Sequence, residues 1–144
     1  MKRAMLVGAG LLFAVLAAHG EQVKRFGDWR VHYIAFNASV LSAEVAERYD
    51  IVRGSHKALV NITAVGPSGR GEEVTVRGKF KNLLDQSKTL DFREIDDKGT
   101  VYYLAAFDFE HAENLRFEIT VDLPKHGTET FRFQQPLYRD GEER

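Results

Sequence analysis

Residues 115–123 leave the chain little conformational choice. Leu115, Phe117, Ile119, Val121 and Leu123 alternate there with Arg116, Glu118, Thr120 and Asp122. A period of two puts all five apolar side chains on one face of an extended strand, whereas a helix would scatter them around its axis. A strand of this kind must pair along its edges and bury its apolar face against a second layer.

Six further runs carry the same signature in weaker form, at 29–37, 59–65, 74–81, 89–95, 101–109 and 130–137. Val74, Val76 and Phe80 alternate with Thr75, Arg77, Lys79 and Lys81. Residues 59–65 and 101–109 are apolar on both faces, the mark of strands covered on both sides. Turn clusters separate the runs, among them Asp96-Asp97-Lys98-Gly99 and Pro124-Lys125-His126-Gly127. Pro136 cannot donate to a ladder and marks an edge or an end. The runs predict an all-β domain: a seven-stranded antiparallel immunoglobulin-like sandwich, with a small barrel as the alternative. One short helix is expected at 43–49, in the connection between the first two strands. Ser42 can cap it, Glu44 suits its first turn, and Val45 and Tyr49 lie four apart on one face. This long connection is expected to cross from one sheet to the other.

The amino terminus has a different character. Lys2 and Arg3 precede an uncharged apolar run at 5–18, and Ala18 and Gly20 place small residues before a cut ahead of Glu21. This is the pattern of a secretory signal peptide over 1–20, followed by one domain over 21–144. The competing reading, an uncleaved anchor, needs a longer run of about 20 apolar residues. The chain has no cysteine, so it offers neither a disulfide nor a lipidated thiol. A cysteine-free exported domain suits a bacterial periplasm better than an animal secretion. The expected address is periplasmic or secreted, with no stable membrane anchor after cleavage. Without Lys2 and Arg3 the chain keeps 18 basic against 21 acidic residues, a net charge of −3 that draws no nucleic acid. Hydrophobic residues make up 44% of the chain, enough to fill one core.

Catalytic signatures are missing. Gly66-Pro67-Ser68-Gly69-Arg70 lacks the last glycine of a serine-hydrolase elbow. Gly69 and Gly71 lead into a strand, where a phosphate loop would open a helix. His32, His56, His111 and His126 are spread along the chain, and Glu110-His111-Ala112-Glu113 is the one cluster with metal-ligand character. No catalytic residue, metal ligand or cofactor is assigned. Arg77, Lys79 and Lys81 form a basic stripe that reads as a solvated sheet face; the competing reading is an anionic partner or lipid surface.

Four residues stand out as a candidate site: Asn37, Tyr49, Arg53 and Asn61. Asn37 ends one predicted strand, Asn61 interrupts another, and Tyr49 and Arg53 sit on the connection between them. Buried amides need partners, so a structural role is one reading. The other is a small polar pocket or docking corner held on a rigid scaffold.

The stretch from Phe36 through Glu44-Val45-Ala46 and Tyr49 to Arg53, with Lys57-Ala58-Leu59-Val60-Asn61-Ile62 after it, resembles the domain of unknown function 4426 family of exported bacterial proteins. Tyr102-Tyr103 and the closing aromatic strand extend the likeness over nearly the whole domain. Gly54 between Arg53 and Ser55, and Ala43 where the family often has Pro, depart from the pattern. The resemblance implies an exported β-sandwich and no assigned activity. The expectation is therefore an exported, non-enzymatic binding or accessory module that docks an envelope protein, by an exposed sheet edge. The alternatives are a small-molecule binder or enzyme using the Asn37/Arg53 corner and, behind it, a metal-handling protein.

Overall fold

The computed structural model describes residues 22–110 and 113–139, so the segment expected to be a signal peptide and His111 both lie outside the described residues. Among the described residues nine strands run β1 (Gln22–Phe26), β2 (Trp29–Asn37), β3 (Lys57–Val65), β4 (Thr75–Lys81), β5 (Ser87–Leu90), β6 (Arg93–Asp97), β7 (Thr100–Asp108), β8 (Glu113–Leu123) and β9 (Gly127–Leu137). A 3₁₀ turn (Ala38–Val40) and the helix α1 (Ala43–Arg48) lie between β2 and β3. All pairings are antiparallel. One sheet has five strands in the order β1-β2-β3-β7-β6, and the other has four in the order β5-β4-β8-β9.

The two sheets face each other over one apolar core. Val31 and Tyr33 of β2, Val60 and Ile62 of β3, and Phe117, Ile119, Phe131 and Phe133 of β8 and β9 are all buried in it. The Tyr33 ring lies 5.0 Å from Phe131 and 4.7 Å from Phe133, and Phe117 stacks on Phe133 at 4.7 Å. These are the offset and tilted contacts that aromatic rings prefer. The Tyr103 hydroxyl ties the sheets at one side. It accepts the Val74 N–H at 2.7 Å and lies 2.7 Å from the Val74 carbonyl and 2.8 Å from the Glu94 carboxylate, either of which can take its proton.

The strand count departs from the predicted seven for two reasons. β1 was not expected because it is a short edge strand whose sequence, Gln22-Val23-Lys24-Arg25-Phe26, alternates poorly. It joins β2 through Gly27 and Asp28, with Gly27 at φ 59°, a conformation suited to a two-residue hairpin. The predicted strand at 89–95 is two strands in different sheets. Leu90 and Phe92 face the shared core, but Ile95 packs on the opposite side of the five-stranded sheet. The ladder partner changes from β4 at Leu90 to β7 at Arg93, so the crossing lies at Asp91 and Phe92.

The long connection is also corrected. β2 and β3 are neighbours in the same sheet, pairing from Arg30 with Val65 to Asn37 with Ala58. The 38–56 connector therefore does not cross between sheets. The crossings are made by the links from β3 to β4, β5 to β6 and β7 to β8.

Candidate functional site

Strands β2, β3 and β7 are apolar on both faces, so their outward face needs a cover. Ile34, Phe36, Leu59, Tyr102 and Leu104 point away from the shared core and are buried all the same. The connector supplies the cover with Ala38, Leu41, Val45, Ala46, Tyr49 and Ile51, which makes a second apolar core. Fully burying a side chain the size of Leu41, Val45 or Ile51 stabilises by roughly 1.5–3 kcal/mol.

Local chemistry sets the course of the connector. The Ser42 hydroxyl accepts the Val45 N–H at 3.1 Å and starts α1. Glu44 and Arg48 sit at the helix ends that favour their charges and lie 3.5 Å apart. The helix closes with Asp50 in the left-handed region at φ 55°. The Asp50 N–H reaches the Glu47 carbonyl at 3.2 Å, and the Ile51 N–H reaches the Ala46 carbonyl at 2.7 Å. This is a Schellman closure, with Ile51 and Ala46 in apolar contact across it.

Tyr49 fastens the helix to β6 at two points. The Arg93 guanidinium donates to the Tyr49 carbonyl, and the Tyr49 hydroxyl donates to the Asp97 carboxylate at 2.8 Å. Arg93 and Asp97 lie four apart on β6 and so share its outward face. Burial, and then the neighbouring Asp97 carboxylate, push the Tyr49 hydroxyl up to about 12.

The other three predicted residues lie on separate elements. The Asn37 amide donates to the Tyr138 carbonyl at 2.6 Å, tying the start of the connector to the end of β9. Asn61 is 2% exposed, and its amide donates to Thr63 Oγ1 at 3.0 Å. Among the described residues no donor reaches Asn61 Oδ1. Arg53 is exposed. Each of the three bonded residues thus turns to a different partner.

Between Tyr49 and Arg53 the chain borders a cleft of about 700 Å³ on the outward face of the five-stranded sheet. Leu59, Leu104 and Ala106 form its floor, and Val52 stands on its lip with 68% of its surface exposed. On the rim, Lys57 donates to Asp108 at 2.8 Å, which holds the Asp108 carboxyl below its ordinary value. Arg93 is engaged with Tyr49, while Asp50 and Asp91 add negative charge. The lining offers apolar contact and charged hydrogen-bonding groups, without an imidazole or a hydroxyl.

The cleft depends on geometry that the sequence reading missed. Strand β6 starts at Arg93, opposite Leu104, but β7 continues to Asp108. Along 105–108, β7 is paired only with β3. Its other edge opens toward the cleft, and Ala106 is exposed there. The signal in the sequence was the two-faced apolar run at 101–109, which is longer than the strand expected beside it.

The remaining motifs have plain settings. Ser68 Oγ sits 2.9 Å from Glu72 in a turn, and Asp96 accepts the Gly99 N–H at 3.0 Å in the β6–β7 hairpin. The basic stripe lies on the outward face of the four-stranded sheet, where Arg77 reaches Asp122 at 3.5 Å and Lys79 reaches Glu118 at 3.8 Å.

A family model described as a domain of unknown function (DUF4426) matches residues 23–140. The crystal structure of a DUF4426 family protein from Pseudomonas aeruginosa PAO1 superposes with a TM-score of 0.75 at 35% identity, covering 85% of this chain and 98% of that one. FetP of uropathogenic Escherichia coli strain F11, expressed in the periplasm of E. coli, shares the fold at a TM-score of 0.55 and 8% identity, over 82% of this chain and 93% of that one. A copper-bound variant of FetP gives 0.57 at 7% identity, over 85% and 92%. No curated protein matches the sequence.

Proposed function

The chain belongs to the DUF4426 family, and on that premise we propose that it is an exported, non-enzymatic binding module that takes an extended segment of an envelope protein along the free edge of β7. We read its two packed sheets as an immunoglobulin-like sandwich, with the cleft beside α1 as its binding face. The observation that carries the reading is the mismatch in strand length: β7 runs four residues beyond its last partner on β6. Open backbone N–H and C=O groups are a template for strand addition, and a pocket beside them reads alternate side chains.

The chemistry of the guest follows from the walls. An apolar side chain fits over Leu59, Leu104 and Ala106, against Val52. Lys57 and Asp108 satisfy each other, but Asp50 and Asp91 face the cleft without an ion pair among the described residues. A Lys or Arg next to the apolar anchor complements them.

The export half of the reading rests on the pattern of residues 1–20 and on the absence, among the described residues, of a helix long and apolar enough to cross a membrane. The periplasmic expression of FetP, which shares the fold, is compatible with that address. The described residues contain no group of three or more His, Asp or Glu side chains that could hold a metal ion, and His111 of the Glu110-His111-Ala112-Glu113 cluster lies outside them.

Peptides selected on the purified protein from a displayed library of unstructured sequences test the proposal. The expected peptides share an apolar residue beside Lys or Arg. Ala106→Arg, which fills the cleft from an exposed position, should weaken them at least tenfold, and Thr75→Arg on the four-stranded sheet should leave them unchanged. Selected peptides that bind the Ala106→Arg protein as tightly as the wild type would overturn it.

A further inference from the structure

The outward face of the four-stranded sheet lies on the opposite side of the domain from the cleft. It carries a second groove, of about 420 Å³, lined by Lys79, Lys81, Arg116 and Arg132 around a single carboxylate, Glu118. Glu118 is shared by Arg132 at 2.7 Å and Lys79 at 3.8 Å. Lys81 and Arg116 share Asp85, at 3.9 and 3.0 Å. Four cations thus divide two carboxylates, and the groove keeps an excess of two positive charges.

At one end of this groove the β4–β5 turn presents Leu83 and Leu84 to solvent, 67% and 79% exposed. The turn is held rigidly. Asn82 Oδ1 accepts the N–H groups of Leu84 and Gln86, each at 3.0 Å, and Arg116 donates to the Asn82 carbonyl at 2.9 Å. The guanidinium that lines the groove therefore also fixes the loop that displays the leucines. Two adjacent leucines kept in water on a well-bonded turn, beside an excess of cations, make an amphiphilic surface.

We propose that this face docks on an anionic phospholipid bilayer, with Leu83 and Leu84 entering the acyl boundary and the groove receiving lipid phosphates. Peripheral attachment takes two signals, apolar insertion and attraction to anionic headgroups, and both are present on one rigid patch. The proposal stands independently of the peptide cleft.

Vesicle flotation of the purified protein tests it, with phosphatidylglycerol mixed into phosphatidylcholine in one arm and phosphatidylcholine alone in the other. Because residues 1–20 are themselves apolar, the reading lies in the difference between lipids and between variants. The wild type should float at least tenfold better with phosphatidylglycerol, and salt at about 0.5 M should release it. Leu83→Ser with Leu84→Ser, and separately Lys79→Gln with Lys81→Gln, should each remove that preference. Trp29 is buried, so a Leu84→Trp protein carries one exposed indole, whose fluorescence brominated phosphatidylglycerol should quench. Equal binding to both lipids, a preference that survives both double variants, an unquenched indole, or binding of inorganic phosphate without vesicle binding would each overturn the proposal.

Discussion

On the outward face of the five-stranded sheet, Ile34, Phe36, Leu59, Tyr102 and Leu104 are buried under the 38–56 connector. On the outward face of the four-stranded sheet, the matching strand positions are Arg77, Lys79, Glu118, Asp122 and Arg132, joined in partly exposed ion pairs. Both sheets bury their inner faces in the same core, so the contrast comes from the second face alone. A strand that is apolar on both sides requires another layer, and the chain supplies it from within. A strand that is charged on its outer side requires only water. The covered face consequently gains a wall and a cleft, while the open face remains a charged surface with one apolar corner.

Core deletion is the harshest way to break this comparison. Leu41 is 1% exposed in the second core. Leu41→Ala should destabilise by about 2–5 kcal/mol, whereas Thr75→Ala on the open face should stay within about 0.5 kcal/mol. Denaturant midpoints measure both. If Leu41→Ala were as mild as Thr75→Ala, the connector would be a loose flap with no part in the core.

Removing one tie should have a smaller effect. Tyr49→Phe deletes the bond to Asp97 and should cost about 1 kcal/mol. It should also change the alkaline limb. The Tyr49 hydroxyl is raised from 10.0 to about 12, so folding favours its neutral form. That contribution is complete below pH 10 and is lost as pH rises toward about 12. Burial raises Tyr33, Tyr102 and Tyr103 as well, so the Phe variant should show a shallower alkaline slope without losing it altogether. Stability measured at several pH values between about 9 and 12 reads the difference. An unchanged slope would mean that the hydroxyl is not held in this bond.

The smallest expected change is a gain. Asp50 takes the left-handed position of the helix closure, where glycine is at ease. Asp50→Gly should stabilise by about 0.5–1 kcal/mol. It also removes one of the two cleft carboxylates that lack an ion pair among the described residues, so peptides with a basic residue should bind more weakly while the fold becomes firmer. Opposite movements of stability and binding would separate scaffold from site.

The difference between the faces was only partly legible in the sequence. Residues 29–37, 59–65 and 101–109 showed apolar positions on both parities, and that is the physical demand for an extra layer. The helix at 43–49 was legible from Ser42 and from the spacing of Val45 and Tyr49. What covers what was not, because periodicity reports a face without reporting its partner. The connector was expected to cross between sheets, yet β2 and β3 pair directly and the connector folds back over them. Of the two residues that hold Tyr49, Arg93 was hidden within the weak run at 89–95 and Asp97 within the turn cluster that follows it. Alternation runs on unbroken through the change of sheet at Asp91 and Phe92, with Leu90 and Phe92 toward the shared core and Ile95 away from it, so periodicity carried no sign of the crossing. Of the four candidate residues, Tyr49 borders the cleft through its neighbours, while Asn37 and Asn61 bond elsewhere.

The claim that the free edge of β7 is a binding edge can be tested on its own amides. Along 105–108, alternate N–H groups bond to β3 and the others point away, toward the cleft. Hydrogen exchange of these amides, followed by NMR with and without a library-selected peptide, reads strand addition directly. Bound peptide should slow the outward-pointing amides at least tenfold, with no comparable change on the four-stranded sheet. Unchanged exchange along 105–108 while the peptide is fully bound would contradict the account.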